Sequence, residues 1–113
     1  MAGKPELPGG PWTEREREGA VLAEKRRKVA RPPKFKVILY NDDYTPMEFV
    51  VAVLEQVFGK GPTEATQLML QIHHSGMGIA GVYVLEVAET KAATVHRLAE
   101  SQSYPLRAGV ERE

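Results

Sequence analysis

The stretch at residues 35–57 constrains the fold more than any other part of the chain. Residues 35–40 are mostly β-branched or aromatic, which is typical of a strand. After residue 48, apolar side chains recur at the spacing of one helical face: Phe49, Val50, Val53, Leu54 and Val57. The stretch therefore predicts a strand that leads through a polar turn, residues 41–48, into a helix.

The end of this turn predicts how the helix begins. Thr45 suits the N-cap position, where its hydroxyl would accept a hydrogen bond from a free backbone N–H. Pro46 suits the first helical position, and Glu48 stands where the second half of a capping box belongs. These residues predict a helix start and, by themselves, no ligand.

The beginning of the turn holds more hydrogen-bond acceptors than one helix cap requires. It consists of Asn41, Asp42 and Asp43. Acceptors beside an apolar helix face suit a ligand that carries a cation next to a large apolar group. An Asx-rich turn without any ligand accounts for the same residues, and residue chemistry alone favours this simpler interpretation.

Length, charge and cysteine content exclude several classes of protein. With 113 residues, the chain has room for one modest core. The formal net charge is +0, so bulk charge indicates neither a nucleic-acid partner nor a membrane partner. No cysteine is present, which excludes a disulfide framework and a thiolate zinc site. Because no signal-peptide pattern or apolar run of membrane-spanning length is visible, we expect a cytoplasmic protein.

Residues 1–33 differ in composition from the rest of the chain. They contain eight Lys or Arg and five Glu, a formal charge of +3, whereas residues 34–113 carry −3. Thr13 and Glu16 suit a capping box, but the helix that would follow has a thin apolar stripe. We therefore expect a flexible N-terminal extension over residues 1–33, which forms helix transiently or on binding, and a core domain over residues 34–113.

The core sequence predicts two further helices and two further strands. A second helix begins at Pro62 and stops at Gly76, a strand covers residues 79–87, a third helix starts near Thr90, and a short strand covers residues 107–110. The order β-α-α-β-α-β indicates a small α+β domain. In such a domain, three helices would cover one three-stranded antiparallel sheet.

Helical geometry brings several side chains to one depression beside the turn. They are Met47 and Val50 on the first helix and Met69, Ile72 and His73 on the second. Methionines at this spacing are more commonly part of a core. The pair His73 and His74 lacks the spacing and the carboxylate of a helical metal site, so we expect no metal. No nucleophile, glycine-rich phosphate loop or paired acid and base predicts an enzyme.

Several segments of the core resemble the ClpS family, the adaptors that deliver N-degron substrates to the AAA+ unfoldase ClpA of the ClpAP protease. The similar segments are residues 36–50, 65–70, 81–83, 86–91 and 105–106. The resemblance covers residues 35–111, essentially the whole core. It implies an adaptor that has no cofactor and is not an enzyme.

The resemblance also implies a ligand and roles for individual residues. The ligand is a protein N-terminus that begins with Leu, Phe, Tyr or Trp. By position, the α-amino group would be held by Asn41, Asp42 and His73, and the loop and first peptide group would be ordered by Asp43 and Thr45. The side-chain pocket would be lined by Leu39, Met47, Val50, Met69, Ile72 and Leu106. Glu86 and Lys91 would dock on the N-terminal domain of the unfoldase.

Two alternatives to a monomeric adaptor remain open at the level of sequence. A nucleic-acid-binding protein would use the basic run at residues 25–28, and its binding to DNA or RNA would depend steeply on salt. Aromatic residues do not interleave with this run and the core is acidic, so we expect no nucleic-acid partner. An enzyme would need a nucleophile or metal set that the chain does not display.

Overall fold

The computed structural model describes residues 13–19 and 31–113. The chain divides into two units, Met1–Pro32 and Pro33–Glu113. The basic run at residues 25–28, and with it most of the expected extension, lies outside the described residues.

The described part of the first unit is a short helical segment at residues 14–19. It begins with the predicted capping box. The Thr13 N–H donates to Glu16 Oε1 over 2.9 Å, and the Glu16 N–H donates to Thr13 Oγ1 over 3.2 Å. The two side chains thus satisfy two backbone N–H groups at the start of the segment.

The second unit contains three strands and three helices in the predicted order. They are β1 (Lys34–Tyr40), α1 (Met47–Gln56), α2 (Pro62–Ser75), β2 (Met77–Val84), α3 (Leu85–Ser101) and β3 (Arg107–Arg112). The strands form one antiparallel sheet in the order β2-β1-β3. The predicted α+β architecture is therefore confirmed. Within the described residues, none of the helices is long and apolar enough to cross a membrane.

The boundary between β2 and α3 differs from the prediction. The strand ends at Val84 and the helix begins at Leu85, whereas the sequence predicted a strand to residue 87 and a helix from Thr90. The alternation of apolar and charged side chains at residues 85–87 fits either structure. The helix prevails because its buried stripe starts early, with Ala88, Ala92, Val95 and Ala99 at helical spacing.

The predicted capping box at the start of α1 is wrong. Helix α1 begins at Met47, and Pro46 occupies the N-cap position in an extended conformation without a side-chain cap. The Pro46 carbonyl accepts the N–H groups of Phe49 and Val50 over 3.1 and 3.2 Å. Thr45 therefore stands one residue too early to cap the helix, and its hydroxyl bonds elsewhere in the turn.

One face of the sheet packs against the helices and forms the core. Val37 and Leu39 of β1 are fully buried there, and the three helices contribute Leu54, Ile72 and Val95 among others. The opposite face of β2 is open, with Met77, Ile79 and Val82 exposed. Burial on one side of the sheet thus holds α1 and α2 beside the end of β1.

Two glycines let α2 and β2 meet close to the polar turn. Gly76 follows the last residue of α2 with φ of 92°, in the left-handed region that favours glycine, and its N–H donates to the Ile72 carbonyl over 2.9 Å. At Gly78, a Cβ atom would lie 2.8 Å from Ile72 Cγ1. The absence of a side chain at Gly78 therefore allows β2 to pass this close to α2.

We expect Gly78→Ala to lower the free energy of unfolding by about 1–3 kcal/mol, because the added methyl group overpacks a buried contact. Urea denaturation measures this change. Gly61→Ser is the matched control, since Gly61 is the N-cap of α2, a Cβ atom added there would meet no atom within 4 Å, and serine is favoured at an N-cap. An unchanged unfolding midpoint in Gly78→Ala would contradict the packing argument.

Candidate functional site

The turn between β1 and α1 is organised by one carboxylate. Asp42 Oδ1 accepts the N–H of Tyr44 over 2.8 Å and the N–H of Thr45 over 2.7 Å. Asp42 Oδ2 accepts the hydroxyl of Thr45 over 2.8 Å. Three donors on one side chain form an Asx-type turn, so the backbone of residues 42–45 is held in one conformation.

A backbone hydrogen bond ties this turn to the end of α2. The Asn41 N–H donates to the Gly76 carbonyl over 2.8 Å. Because Gly76 directly follows α2, the bond holds the last turn of that helix, which carries His73, beside the start of the polar turn. The acceptors of the turn and the imidazole thus border the same space.

A depression of about 320 Å³ lies between the turn, α1 and α2. It is lined by Asn41, Asp42, Asp43, Tyr44, Thr45, Pro46, Met47, Val50, Met69, Ile72 and His73. Its volume is at the lower end of the range for small-ligand sites. It can therefore hold a single large side chain together with the polar group attached to it.

The depression has an apolar floor and a polar rim. Val50, Met69 and Ile72 are buried, whereas Asn41, Asp43 and His73 are exposed. Two large apolar side chains also reach the rim, Met47 at 42% exposed and Tyr44 at 80% exposed. This division offers burial to an apolar group and hydrogen-bond acceptors to a polar group that stays near the surface.

The rim carries negative charge without a compensating cation in its lining. Asp42 and Asp43 line the depression, and no Lys or Arg does. In the part of the chain that the structure describes, neither aspartate forms an ion pair, and the Asp43 carboxylate accepts no hydrogen bond. Asp43 therefore presents an uncompensated carboxylate to a cationic group.

Residues 13–19 and 31–113 contain no group of three or more His, Cys, Asp or Glu side chains that could hold a metal ion. The rings of His73 and His74 meet edge to face, with 5.4 Å between their centroids. The described residues thus supply acceptors for hydrogen bonds but no cluster of three metal-binding side chains.

The structure brings together nearly all of the residues that the sequence assigned to the pocket. The exceptions are Leu39, which is fully buried in the core, and Leu106, which lies in a second depression of about 440 Å³. That depression is lined by His96, Glu100, Tyr104, Pro105, Leu106 and Arg107. Neither leucine lines the first depression, because Leu39 points from β1 under the helices and Leu106 follows α3.

Sequence reasoning missed two residues that line the depression, and the structure adds a role for a third. Tyr44 and Pro46 belong to the lining although they were not assigned to it. Their position within the polar turn was the available signal. The sequence assigned Asp42 to the α-amino group, which stays a prediction, and the structure shows that its carboxylate also orders the loop.

The two residues expected to dock on an unfoldase lie on α3 in different surroundings. Glu86 is exposed in the first turn of the helix. Lys91 is half-buried, and its ammonium donates to the Val57 carbonyl over 2.7 Å. The carboxylate is thus available to a partner, and the ammonium uses one of its three donors within the domain.

A comparison with protein families decides which family the chain belongs to. The model of one family, described as ATP-dependent Clp protease adaptor protein ClpS, matches residues 30–109. The chain belongs to the ClpS family. Its role is accordingly that of an adaptor of Clp protease, which implies interaction with components and substrates of that protease.

Individual members of the family are similar over most of their length. The ATP-dependent Clp protease adapter protein ClpS of Desulfatibacillum aliphaticivorans is 55% identical over 95 residues, 84% of this chain and 91% of that protein. The protein of the same name from Myxococcus xanthus is 48% identical over 100 residues, 87% and 94% of the two chains. The family assignment therefore rests on nearly complete chains.

A solved structure has the same fold. It is the structure of Agrobacterium tumefaciens ClpS2 bound to L-phenylalaninamide, which superimposes with a TM-score of 0.71 and 38% sequence identity. The match covers 74% of this chain and 100% of the other chain. The family resemblance seen in the sequence and the predicted fold class are both confirmed.

We expect Asp42→Ala to loosen the turn, because it removes the acceptor of three hydrogen bonds that each contribute about 0.5–1.5 kcal/mol. Amide hydrogen exchange at Tyr44 and Thr45 should accelerate, and the urea midpoint should fall. Asp43→Ala is the matched control and should change neither quantity. Equal exchange at these two amides in both variants would show that Asp42 does not organise the turn.

Proposed function

We propose that this adaptor binds protein N-termini that begin with Leu, Phe, Tyr or Trp and delivers them to a ClpA-type AAA+ unfoldase. The observation that carries the proposal is the depression with an apolar floor and an anionic, acceptor-rich rim. An N-terminal residue of this kind has an ammonium group and a large apolar side chain on the same carbon atom. The two halves of the ligand match the two parts of the depression.

The rim supplies partners for the ammonium. Asp43 offers a carboxylate without hydrogen bonds in the described structure, Asn41 offers an amide oxygen, and neutral His73 offers a ring nitrogen. Asp42 contributes chiefly by holding the turn, since three of about four acceptor sites of its carboxylate are already used, whereas the Asp43 carboxylate accepts no hydrogen bond in the described residues. We therefore assign the direct charge contact to Asp43, and the positioning of the turn to Asp42 together with Thr45.

The floor supplies burial for the side chain. A Leu or Phe side chain that moves from water onto Val50, Met69 and Ile72 gains about 1.5–3 kcal/mol. Each charge-assisted hydrogen bond to the ammonium contributes about 1.5–3 kcal/mol. The side-chain contribution alone does not offset the entropy of association, about 4 kcal/mol or more, and the hydrogen bonds to the ammonium are needed in addition. Binding should therefore require a free amine and a large apolar side chain together.

The ligand of the Agrobacterium tumefaciens neighbour supports this proposal. L-Phenylalaninamide carries a free amino group and a benzyl group on one carbon, and its amide stands in for the first peptide bond of a chain. By the same chemistry, we propose that the amine of the ligand lies at the rim of this depression and its side chain over the apolar floor.

Titration with peptides that differ only in the first residue tests the proposal. We expect peptides with Leu, Phe, Tyr or Trp first to bind, and the same peptides to lose more than about tenfold in affinity, or about 1.4 kcal/mol, when the amine is acetylated. A first-residue Ala peptide is the control for the side chain. Equal binding of the free and acetylated peptides would sink the proposal.

Met47 gives a sharper test, because it opens α1 at the rim directly after the turn. Leu, Phe, Tyr and Trp have an unbranched CH₂ at Cβ, whereas Ile and Val carry a second substituent that would meet the thioether. We expect Met47→Ala to improve binding of Ile-first and Val-first peptides relative to Leu-first peptides by about 1–3 kcal/mol, the effect of a methyl-sized difference. If Met47→Ala lowers the affinity for Leu-first, Phe-first, Ile-first and Val-first peptides equally, Met47 contributes to packing and does not select among first residues.

Delivery to the unfoldase is the second half of the proposal. The exposed Glu86 on α3 is available to a docking partner, and the resemblance implies that the N-terminal extension engages the translocation machinery. We further propose that the protein acts as a monomer in the cytoplasm, where the protease it serves would meet its substrates.

We expect deletion of residues 1–30 to separate binding from delivery. Peptide affinity should remain within about twofold of the parent, a change of about 0.4 kcal/mol, because the lining residues all lie between Asn41 and His73. Degradation of a Leu-first model substrate by the unfoldase and its protease should lose its acceleration. A truncated protein that accelerates degradation as well as the parent would contradict the role of the extension.

A further inference from the structure

The methionines of the chain differ in how far they are open to water. The chain contains four methionines and no cysteine. Met77 is 51% exposed and Met47 is 42% exposed, whereas Met69 is only 9% exposed. The fourth, Met1, lies outside the described residues. Because no thiol competes for an oxidant and oxidation follows exposure, Met47 and Met77 carry the most accessible sulfur atoms of the described residues.

The two exposed methionines lie in different places. Met47 is the first residue of α1 and lines the rim of the depression, together with Asp42 and Asp43. Met77 begins β2 on the open face of the sheet and does not line the depression. Met69 lines the same depression from α2, but as part of its buried floor. An accessible sulfur atom therefore lies at the entrance to the candidate site, and a comparable one lies away from it.

A neutral oxidant of the peroxide class can reach the Met47 sulfur, since the negative charge of Asp42 and Asp43 repels anions but not neutral molecules. The sulfur lone pair attacks one oxygen of hydrogen peroxide, so that an S–O bond forms and the O–O bond breaks. The departing hydroxide takes the proton from the transferred oxygen and leaves as water. The sulfur is thus oxidised to a sulfoxide, and the peroxide is reduced to water.

A sulfoxide changes what the rim offers to an apolar ligand. It replaces part of an apolar wall with a strongly polar oxygen that accepts hydrogen bonds from water. An apolar side chain packed against Met47 would remove that water, and the lining holds no Lys or Arg that could take its place. Oxidation therefore opposes the contact that the thioether favours.

We propose that Met47 is a reversible oxidation site, whose sulfoxide closes the depression to large apolar first residues. The inference rests on the proposed recognition of protein N-termini at this depression. It also makes the two events oppose each other, because coupling between two equilibria is reciprocal. A bound N-terminus covers the Met47 sulfur and slows its oxidation, and the oxidised rim weakens binding of the N-terminus.

Treatment of the full chain with hydrogen peroxide, followed by mass spectrometry of its proteolytic fragments, tests where oxygen is added. We expect Met47 to react more than about tenfold faster than Met69, in line with their exposure. A saturating Phe-first peptide should slow the reaction at Met47 and leave the rate at Met77 unchanged. Similar rates at Met47 and Met69 would overturn the inference.

Affinity for the Phe-first peptide tests what the added oxygen does. Oxidation should weaken binding to the parent by about tenfold, as expected when a polar group loses water without a new partner. Methionine sulfoxide reductases should restore the affinity, because they return the sulfoxide to the thioether. An unchanged or higher affinity after complete oxidation of Met47 would overturn the inference.

Met47→Leu and Met77→Leu are matched variants, since each removes one exposed sulfur atom, and each is compared with its own unoxidised form. Oxidation should weaken binding to Met77→Leu as it does for the parent, and should leave Met47→Leu at its own starting affinity. An equal loss in Met47→Leu would show that another site is responsible and would overturn the inference.

Failure of this inference is distinguishable from failure of the proposed function. If the unoxidised parent does not bind Phe-first peptides, the proposed recognition fails, whereas the mass spectra still decide whether Met47 is oxidised ahead of Met69. If the unoxidised parent binds and the protein oxidised at Met47 binds equally well, the recognition stands and closure by the sulfoxide fails.

Discussion

The hydrogen bonds to the Asp42 carboxylate hold the turn on which the rest of the site depends. Two N–H groups and one hydroxyl converge on this side chain, so residues 42–45 keep their shape without help from a ligand. The bond from Asn41 to Gly76 attaches the same turn to the end of α2. A rim that is already ordered reduces the entropy that binding must overcome. The acceptors therefore stand in place before a ligand arrives.

The order of elements could be predicted from the sequence because each element has a clear period. Residues 35–40 have the composition of a strand, and the apolar stripes after residues 48 and 62 have the spacing of helices. The acceptors of the turn and the residues of the floor were also predictable, since their neighbours along each helix are fixed by geometry. What these periods determine is which residues can face one another.

The roles of three individual side chains could not be predicted, because they depend on three-dimensional contacts that the periodicity of the sequence does not specify. Asp42 and Asp43 have the same chemistry, and the conformation of the turn alone decides that Asp42 accepts the internal hydrogen bonds. The position of Leu39 in β1 predicts that its side chain faces the helices. Whether it also borders the depression depends on how the helices cover β1, and in the structure they bury it in the core. Lys91 has the sequence context of a surface charge, and its contact with Val57 spans 34 residues.

The central claim is that one depression recognises the free amine and the side chain together, with Asp43 as the charge partner. A cycle of four affinities tests it most directly: the parent and Asp43→Asn, each with a Phe-first peptide in free and acetylated form. The account predicts that Asp43→Asn weakens binding of the free peptide by about tenfold, since one charge-assisted contact is lost, and leaves the acetylated peptide unchanged. An equal loss for both peptides would contradict it, because Asp43 would then act on something other than the amine.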